Sequence, residues 1–327
     1  GPACYQRGGT GATVTDADLA LGRIDPAAFA GGAVPLAPER AEAALDEAVG
    51  GPLNLATVEA AFGVSEMVDE TMANAARVHA IEWGKEISQR SMIAFGGAAP
   101  LHAARLAQKL DIDRVIIPAS AGVGSAVGFL YAPIAFEVVR SRYLRLADFA
   151  AEPLNALLAE MIEEATDVVR QGAPEAPLDS ELTAAMRYLG QGHEVTVTLP
   201  AEPFGSDDAP ALRQAFESRY EALYGRIISD LEVEVMSWAV TVSTQQTPLS
   251  PPPEPQESAA ADSGQRRRLY DPAGGFTEAT VYQRSALSPG DSLAGPALVV
   301  EAQTTTVVPL GFSLVVTGLG GLELRRQ

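Results

Sequence analysis

The spacing of apolar positions changes character several times along the chain. Pro38–Val49 and Val68–Ile81 carry helical spacing, and the second pattern continues through Trp83 towards Ser88. Ser91–Phe95 predicts a strand, Gly96–Pro100 a tight loop, Leu101–Leu110 a helix and Arg114–Ile117 another strand. Strand, glycine loop, helix and strand within 27 residues form a βαβ-type unit, which requires a parallel sheet covered by helices. In Glu152–Arg170, Leu154, Leu157, Leu158, Met161 and Ile162 form an apolar stripe among acids. Thr183–Leu189 and Glu194–Leu199 flank Gly190-Gln191-Gly192-His193 as a hairpin candidate. Ala211–Leu223 predicts a helix ended by Gly225, and Glu232–Val242 a long strand.

Gln245–Gly264 holds five prolines and no apolar periodicity, which predicts an extended linker. Beyond it, Thr280–Gln283, Ala297–Val300, Thr304–Val308 and Ser313–Val316 read as strands between glycine and proline turns. The expected organisation is an α/β lobe over 1–145, an α+β segment over 146–244, the linker over 245–264 and a small β-rich domain over 265–327.

One stretch raises a membrane question. Val115–Phe136 is 22 residues without a charge, long enough to span a bilayer. Pro118, Pro133, Gly122, Gly124 and Gly128 break it, so buried core is the expectation. Composition narrows the function classes. With 23 Lys+Arg against 42 Asp+Glu the formal charge is −19, which disfavours nucleic acid or an anionic membrane as the main partner. The single cysteine, Cys4, cannot close an intramolecular disulfide, and no signal peptide opens the sequence, so a cytoplasmic protein is expected.

Local chemistry concentrates in Phe95-Gly96-Gly97-Ala98-Ala99-Pro100. Two glycines permit close backbone approach, and the N–H groups at a helix start favour polar or anionic ligands. Tight helix–strand packing is the alternative explanation. Gly8-Gly9-Thr10-Gly11 lacks the Lys of a phosphate loop and reads as a surface turn. Gly122–Gly128 suits close packing of backbones. His79, His102 and His193 have no metal-ligand spacing, and no nucleophile elbow exists. Glu82 and Lys85, three apart, read as a solvated pair sharing one helix face. For His102 a structural and a ligand-touching role stay open.

Seven motifs in order carry a resemblance. They are Gly1-Pro2-Ala3-Cys4-Tyr5 with Arg7-Gly8-Gly9; Thr13–Ala17; Leu21-Gly22-Arg23 with Asp25-Pro26; and Ala94–Ala103. Arg187–Gly192, Tyr224-Gly225, and Gly295-Pro296-Ala297 leading to Thr304–Val308 complete the series. The chain resembles hydantoinase A/5-oxoprolinase proteins, a family that includes ATP-dependent hydantoinases, 5-oxoprolinases, caprolactamase-like enzymes and subunits of acetone and acetophenone carboxylases. The resemblance implies the C-terminal lobe of an actin/sugar-kinase/heat-shock-ATPase-like fold, followed by an α+β segment and a small β-rich C-terminal domain. It implies ATP with Mg²⁺, an amide or ketone oxygen activated by phosphorylation, and a hydantoinase B-type partner.

By the same resemblance Gly96, Gly97, Ala98 and Ala99 form an adenosine-side loop, and Glu82 and Lys85 reach ribose or base. In family register Gly8–Asp16 is not a phosphate loop, and Ala99 stands where relatives carry Gly. The family's members are about twice as long, so the phosphate loops and metal ligands are expected on a chain carrying the N-terminal lobe. This chain alone is then not expected to turn over ATP. The implied reaction is opening of a cyclic amide; a ketone carboxylase subunit and a non-catalytic assembly subunit are the alternatives.

Overall fold

The computed structural model describes residues 1–246, 250, 252–253 and 255–327. The chain divides into two compact units, Gly1–Leu130 with Ser250–Gln327, and Tyr131–Leu249. Its elements in chain order begin with α1 (Val14–Ala20), α2 (Pro38–Leu45), the single turn α3 (Gly51–Leu53) and the long α4 (Thr57–Glu82). There follow β1 (Met92–Ile93), α5 (Ala99–Leu110), β2 (Arg114–Ile117) and α6 (Gly124–Tyr131). The other unit holds β3 (Ala135–Arg140), β4 (Leu144–Arg145), α7 (Ala151–Gly172), β5 (Leu178–Tyr188), β6 (Val195–Leu199), α8 (Ala209–Tyr224) and β7 (Val233–Thr244). The first unit resumes with β8 (Ser258–Ala259), β9 (Arg266–Asp271), β10 (Gly275–Gln283), β11 (Asp291–Ala294), β12 (Ala297–Val300), β13 (Thr305–Val308), β14 (Phe312–Val316) and β15 (Leu322–Arg326).

The βαβ expectation holds: β1 and β2 run parallel, with Met92 opposite Val115, and α5 joins them. The separate β-rich C-terminal domain does not form. β15 pairs antiparallel with β2, so the last strands complete a sheet of order β1-β2-β15-β14-β11-β8. A second sheet, β13-β12-β10-β9, packs on the first through Ala297, Val299 and Val308 against Phe312, Leu314 and Val316. Its other face, through Leu298, Val300 and Val307, meets Leu19, Ala41 and Leu101 of the N-terminal helices. That two-sided burial explains why all four residues of β12 are apolar and buried. Part of the expected linker is ordered strand: Ser258–Ala259 pairs in parallel with β11. Residues 247–249, 251 and 254 of that stretch lie outside the described residues.

The other unit is an antiparallel sheet, β3-β7-β5-β6, with β4 also on β7. The stripe of α7, Leu154, Leu158, Met161, Ala165 and Val169, packs with Val138, Leu182, Ala184 and Trp238. The Arg187–Gly192 motif is an anchor for α8. Tyr188 packs edge-on against Phe216 at 4.9 Å and Tyr220 at 5.0 Å, while Gln191 Nε2 donates to the Tyr220 hydroxyl at 3.0 Å. α8 ends at Gly225, whose φ of +70° is the left-handed cap that glycine adopts without strain.

Two expectations are corrected. α4 stops at Glu82: the N–H of Gly84 donates to Ile81 O (2.9 Å) and that of Lys85 to Ala80 O (2.8 Å), the paired bonds of a glycine-terminated helix. Lys85 therefore closes the helix end and does not share a helical face with Glu82. The uncharged run does not form buried core throughout. β2 is buried at Val115 and Ile117, but no residue of α6 is buried, and Phe129 and Leu130 are 83% and 84% exposed. The short helix is mostly apolar, and apart from the Phe95 ring against Gly124 its side chains stand largely exposed. Among the described residues no helix is long and apolar enough to cross a membrane.

Candidate functional site

α5 is a 12-residue helix that starts without a side-chain cap, because Ala98 occupies the cap position and Pro100 follows in the first turn. Gly96 turns the chain into it at φ +117°, a conformation that disfavours any residue with a Cβ, and its N–H donates to Ala121 O at 3.0 Å. The N–H groups of Gly97, Ala98 and Ala99 have no protein acceptor among the described residues. Three free donors at the positive end of a helix dipole make a receptor for polar or anionic atoms. The Gly122–Gly128 turn supports this loop by close packing. A Cβ on Gly122 would lie 2.5 Å from the Gln303 side chain, and one on Gly124 would lie 2.2 Å from the Phe95 ring.

Gly97 lines a cavity of about 300 Å³ together with Asp25, Phe29, Glu301, Gln303 and Thr304. Three of the sequence motifs meet here. Gly22 permits the approach: a Cβ there would sit 2.0 Å from Arg268 O, and Leu21 O accepts from Tyr270 N–H at 3.0 Å. Asp25, just beyond, is held by the N–H groups of Ala27 (2.9 Å) and Ala28 (3.2 Å) and by Arg267 Nη2 at 2.5 Å. Glu301 begins the turn between β12 and β13, donating its N–H to Thr304 O at 2.9 Å. Burial pushes the Glu301 carboxyl above the usual range, opposed by the nearby charge of Arg284. Thr304 Oγ1 is buried with no hydrogen-bond partner among the described residues. The cavity thus brings together Gly97 of the loop, the Glu301 carboxyl and a buried threonine hydroxyl.

Of the residues expected at the site, Gly96–Ala99 form one continuous loop, with Gly97 and Ala98 exposed. Glu82 and Lys85 are both exposed at the end of α4, and neither lines the cavity. Sequence reasoning missed Glu301 as a site residue. The signal for it was the lone charge between Ala297 and Val308.

His102 faces another way. Its Nδ1 lies 2.9 Å from Asp69 Oδ1 and its Nε2 3.2 Å from Asp18 Oδ2. Arg23 Nη1 donates to Asp18 Oδ1 (2.8 Å) and Ser65 Oγ (2.7 Å). Burial lowers the imidazole's proton affinity, but bonds to the two carboxylates outweigh it and push the pKa up to about 9. His102 is 5% exposed and joins α1, α4 and α5 as a charged group. The Gly8–Asp16 segment is likewise structural: the Asp16 carboxylate is buried and accepts from Ala3, Cys4 and Thr13. Among the described residues no three His, Cys, Asp or Glu side chains gather where they could hold a metal ion.

A family model described as hydantoinase/oxoprolinase matches residues 1–138, and one described as hydantoinase/oxoprolinase C-terminal domain matches residues 147–325. The caprolactamase subunit alpha of Pseudomonas jessenii is 30% identical over 95% of this chain and 46% of its own length. The acetophenone carboxylase gamma subunit of Aromatoleum aromaticum is 31% identical over 94% of this chain and 44% of its own. A nucleotide-free acetone carboxylase structure, from work on ATP-dependent acetone carboxylation, superimposes with a TM-score of 0.78 at 25% identity. That match covers 99% of this chain and 48% of the other. The ATP-dependent caprolactamase of Pseudomonas jessenii gives 0.77 at 28%, covering 100% and 48%. The chain spans about half the length of these relatives.

Proposed function

Because this chain belongs to the hydantoinase/oxoprolinase family, we propose that it is the C-terminal half of an ATP-dependent cyclic amide hydrolase subunit. In this reading it is a mixed α/β relative of the actin/sugar-kinase/heat-shock-ATPase lobes and contributes the adenosine side of the ATP site. The phosphate loops and the groups that hold Mg²⁺ belong to a chain bearing the N-terminal lobe, and a hydantoinase B-type subunit completes the complex. ATP would supply the phosphoryl group that activates the amide oxygen. The observation that carries the reading is the uncapped start of α5: free N–H groups of Gly97, Ala98 and Ala99 beside a cavity that Gly97 also lines.

Those donors fit the polar atoms of a nucleotide, and the narrow turn at Gly96 keeps side chains out of the way. Glu82 and Lys85 reach ribose or base only if the ligand extends past the loop towards the end of α4. Thr304 and Glu301, which line the cavity, orient the buried end of the ligand by hydrogen bonds. Catalysis by the whole complex would then rest on positioning and charge stabilisation divided between its chains.

The test is binding of a fluorescent ATP analogue to the assembled complex. Gly96→Val should weaken it at least ~10-fold, since the φ of +117° excludes a branched side chain. Unchanged affinity in a folded variant would remove Gly96 from the site. A second reading, a ketone carboxylase subunit, is favoured by the 31% identity to the acetophenone carboxylase gamma subunit. Labelled bicarbonate separates the two: incorporation into product supports carboxylation, and ring opening without it supports hydrolysis.

A further inference from the structure

Behind Leu101 lies a second cavity, of about 260 Å³, between α5 and the second sheet. Phe62, Leu269, Val307 and Leu310 give it apolar walls, and Arg23, Arg105, Gln108 and Asp271 bring polar groups into them. Nothing in the nucleotide reading uses this space.

Its charges are unequal in their satisfaction. Arg105 is fully engaged, by Nε and Nη2 on Glu66 (2.6 and 3.0 Å) and Nη1 on Gln108 (3.0 Å). Arg23 is 6% exposed and bonds through Nη1, and among the described residues its Nε and Nη2 have no hydrogen-bond partner. Asp18, Asp69, Arg23 and His102 together sum to zero charge. Asp271 is different. It is 4% exposed, and its carboxylate accepts only backbone N–H groups, from Ala273 at 2.9 Å and Leu310 at 3.4 Å. Among the described residues no cationic side chain hydrogen-bonds to it; the charge of Arg105 acts on it across the cavity, but that guanidinium is committed to Glu66. A buried carboxylate with no cation hydrogen-bonded to it favours one, and an unused guanidinium edge favours a carboxylate.

We propose that this cavity binds a small amino acid zwitterion, with its carboxylate on the free edge of Arg23, its ammonium at Asp271 and its carbon chain against Phe62 and Leu310. At ~30 Å³ for each water-sized group, the volume admits roughly nine heavy atoms. A plain carboxylate leaves Asp271 unpaired, and a plain amine leaves Arg23 unused; both bind more weakly. Opening a cyclic amide yields a molecule of this class, although the assignment stands without that reaction.

The experiment is calorimetric titration of the native protein with glycine, β-alanine, 4-aminobutyrate and 6-aminohexanoate, and with butyrate and butylamine as single-charge controls. At least one amino acid should bind at least ten-fold more tightly than both controls. Asp271→Asn should remove that preference. Ala273→Trp, at the exposed rim, should abolish binding while leaving every polar group in place and the thermal melt unchanged. No binding of any amino acid at ~10 mM overturns the proposal, as does equal affinity for butyrate and 4-aminobutyrate. Full affinity in Ala273→Trp overturns it too.

Discussion

The imidazolium of His102 makes stability depend on alkaline pH in a way that can be worked from the structure. In the unfolded chain its pKa is 6.5, and in the folded chain about 9. The raised value means that the stabilisation is fully present below pH 6.5 and is lost as pH rises towards 9. The gap corresponds to about 3 kcal/mol at 1.36 kcal/mol per unit. The perturbation is His102→Gln, which removes the charge and leaves Asp18 and Asp69 buried with Arg23 as the remaining cation. At pH 6.5 this should cost ~3–5 kcal/mol, the range for breaking a buried ion pair. The assay is urea unfolding by far-UV circular dichroism from pH 6 to 9.5, on the native protein and the variant. Fluorescence of Trp238, which lies in the other unit, serves as an internal control when both proteins carry Trp83→Phe, since Trp83 lies in the first unit. The difference between the two proteins should shrink steadily as pH rises through this window. A difference that stays constant would show that the imidazole is neutral when folded and would refute the reasoning.

Three further outcomes follow from the same geometry. Burial raises the Asp16 carboxyl, but bonds from Thr13, Cys4 and Ala3 outweigh it and leave it below its ordinary 3.8. Asp16→Asn should therefore cost ~1.5–3 kcal/mol at neutral pH, and in acid titration the gap to the native protein should close as pH falls below 4. Cys4 is fully buried, and burial with the adjacent Asp16 pushes its thiol up to about 12. It should resist a disulfide reagent at pH 8 until the chain is unfolded, then react once per chain. Leu158→Ala, in the stripe of α7, should destabilise the second unit by ~2–5 kcal/mol, read in a Trp83→Phe background as a lower urea midpoint for Trp238 fluorescence.

Local pattern made much of the fold legible. The βαβ unit, the α7 stripe, the β5–β6 hairpin and the Gly225 stop all rest on contacts or conformations within a few tens of residues. Periodicity could not show that Leu322–Arg326 pairs with Arg114–Ile117, because that partner lies some two hundred residues away. It therefore split one body in two. The end of α4 was misplaced because apolar spacing ran on past Trp83, although Gly84 was already a stop signal. At the candidate site the glycine loop stood out, since a helix start without a capping side chain is a local feature. Glu301 and Asp25 became site residues only when three motifs, distant in sequence, closed around one cavity. His102 was ambiguous because a buried ion network is assembled from three separate segments, around Asp18–Arg23, Ser65–Asp69 and His102, none unusual alone.

The central claim, that the Gly96–Ala99 loop sits against the adenosine part of ATP, is tested most directly by photolabelling. The assembled complex is irradiated with 8-azido-ATP and digested with trypsin, which releases the loop within a single peptide, Ser91–Arg105. The account predicts label on that peptide, competed away by ATP and lost in Gly96→Val. Label confined to the partner chains, with this peptide unmodified, would contradict it and leave the chain an assembly subunit.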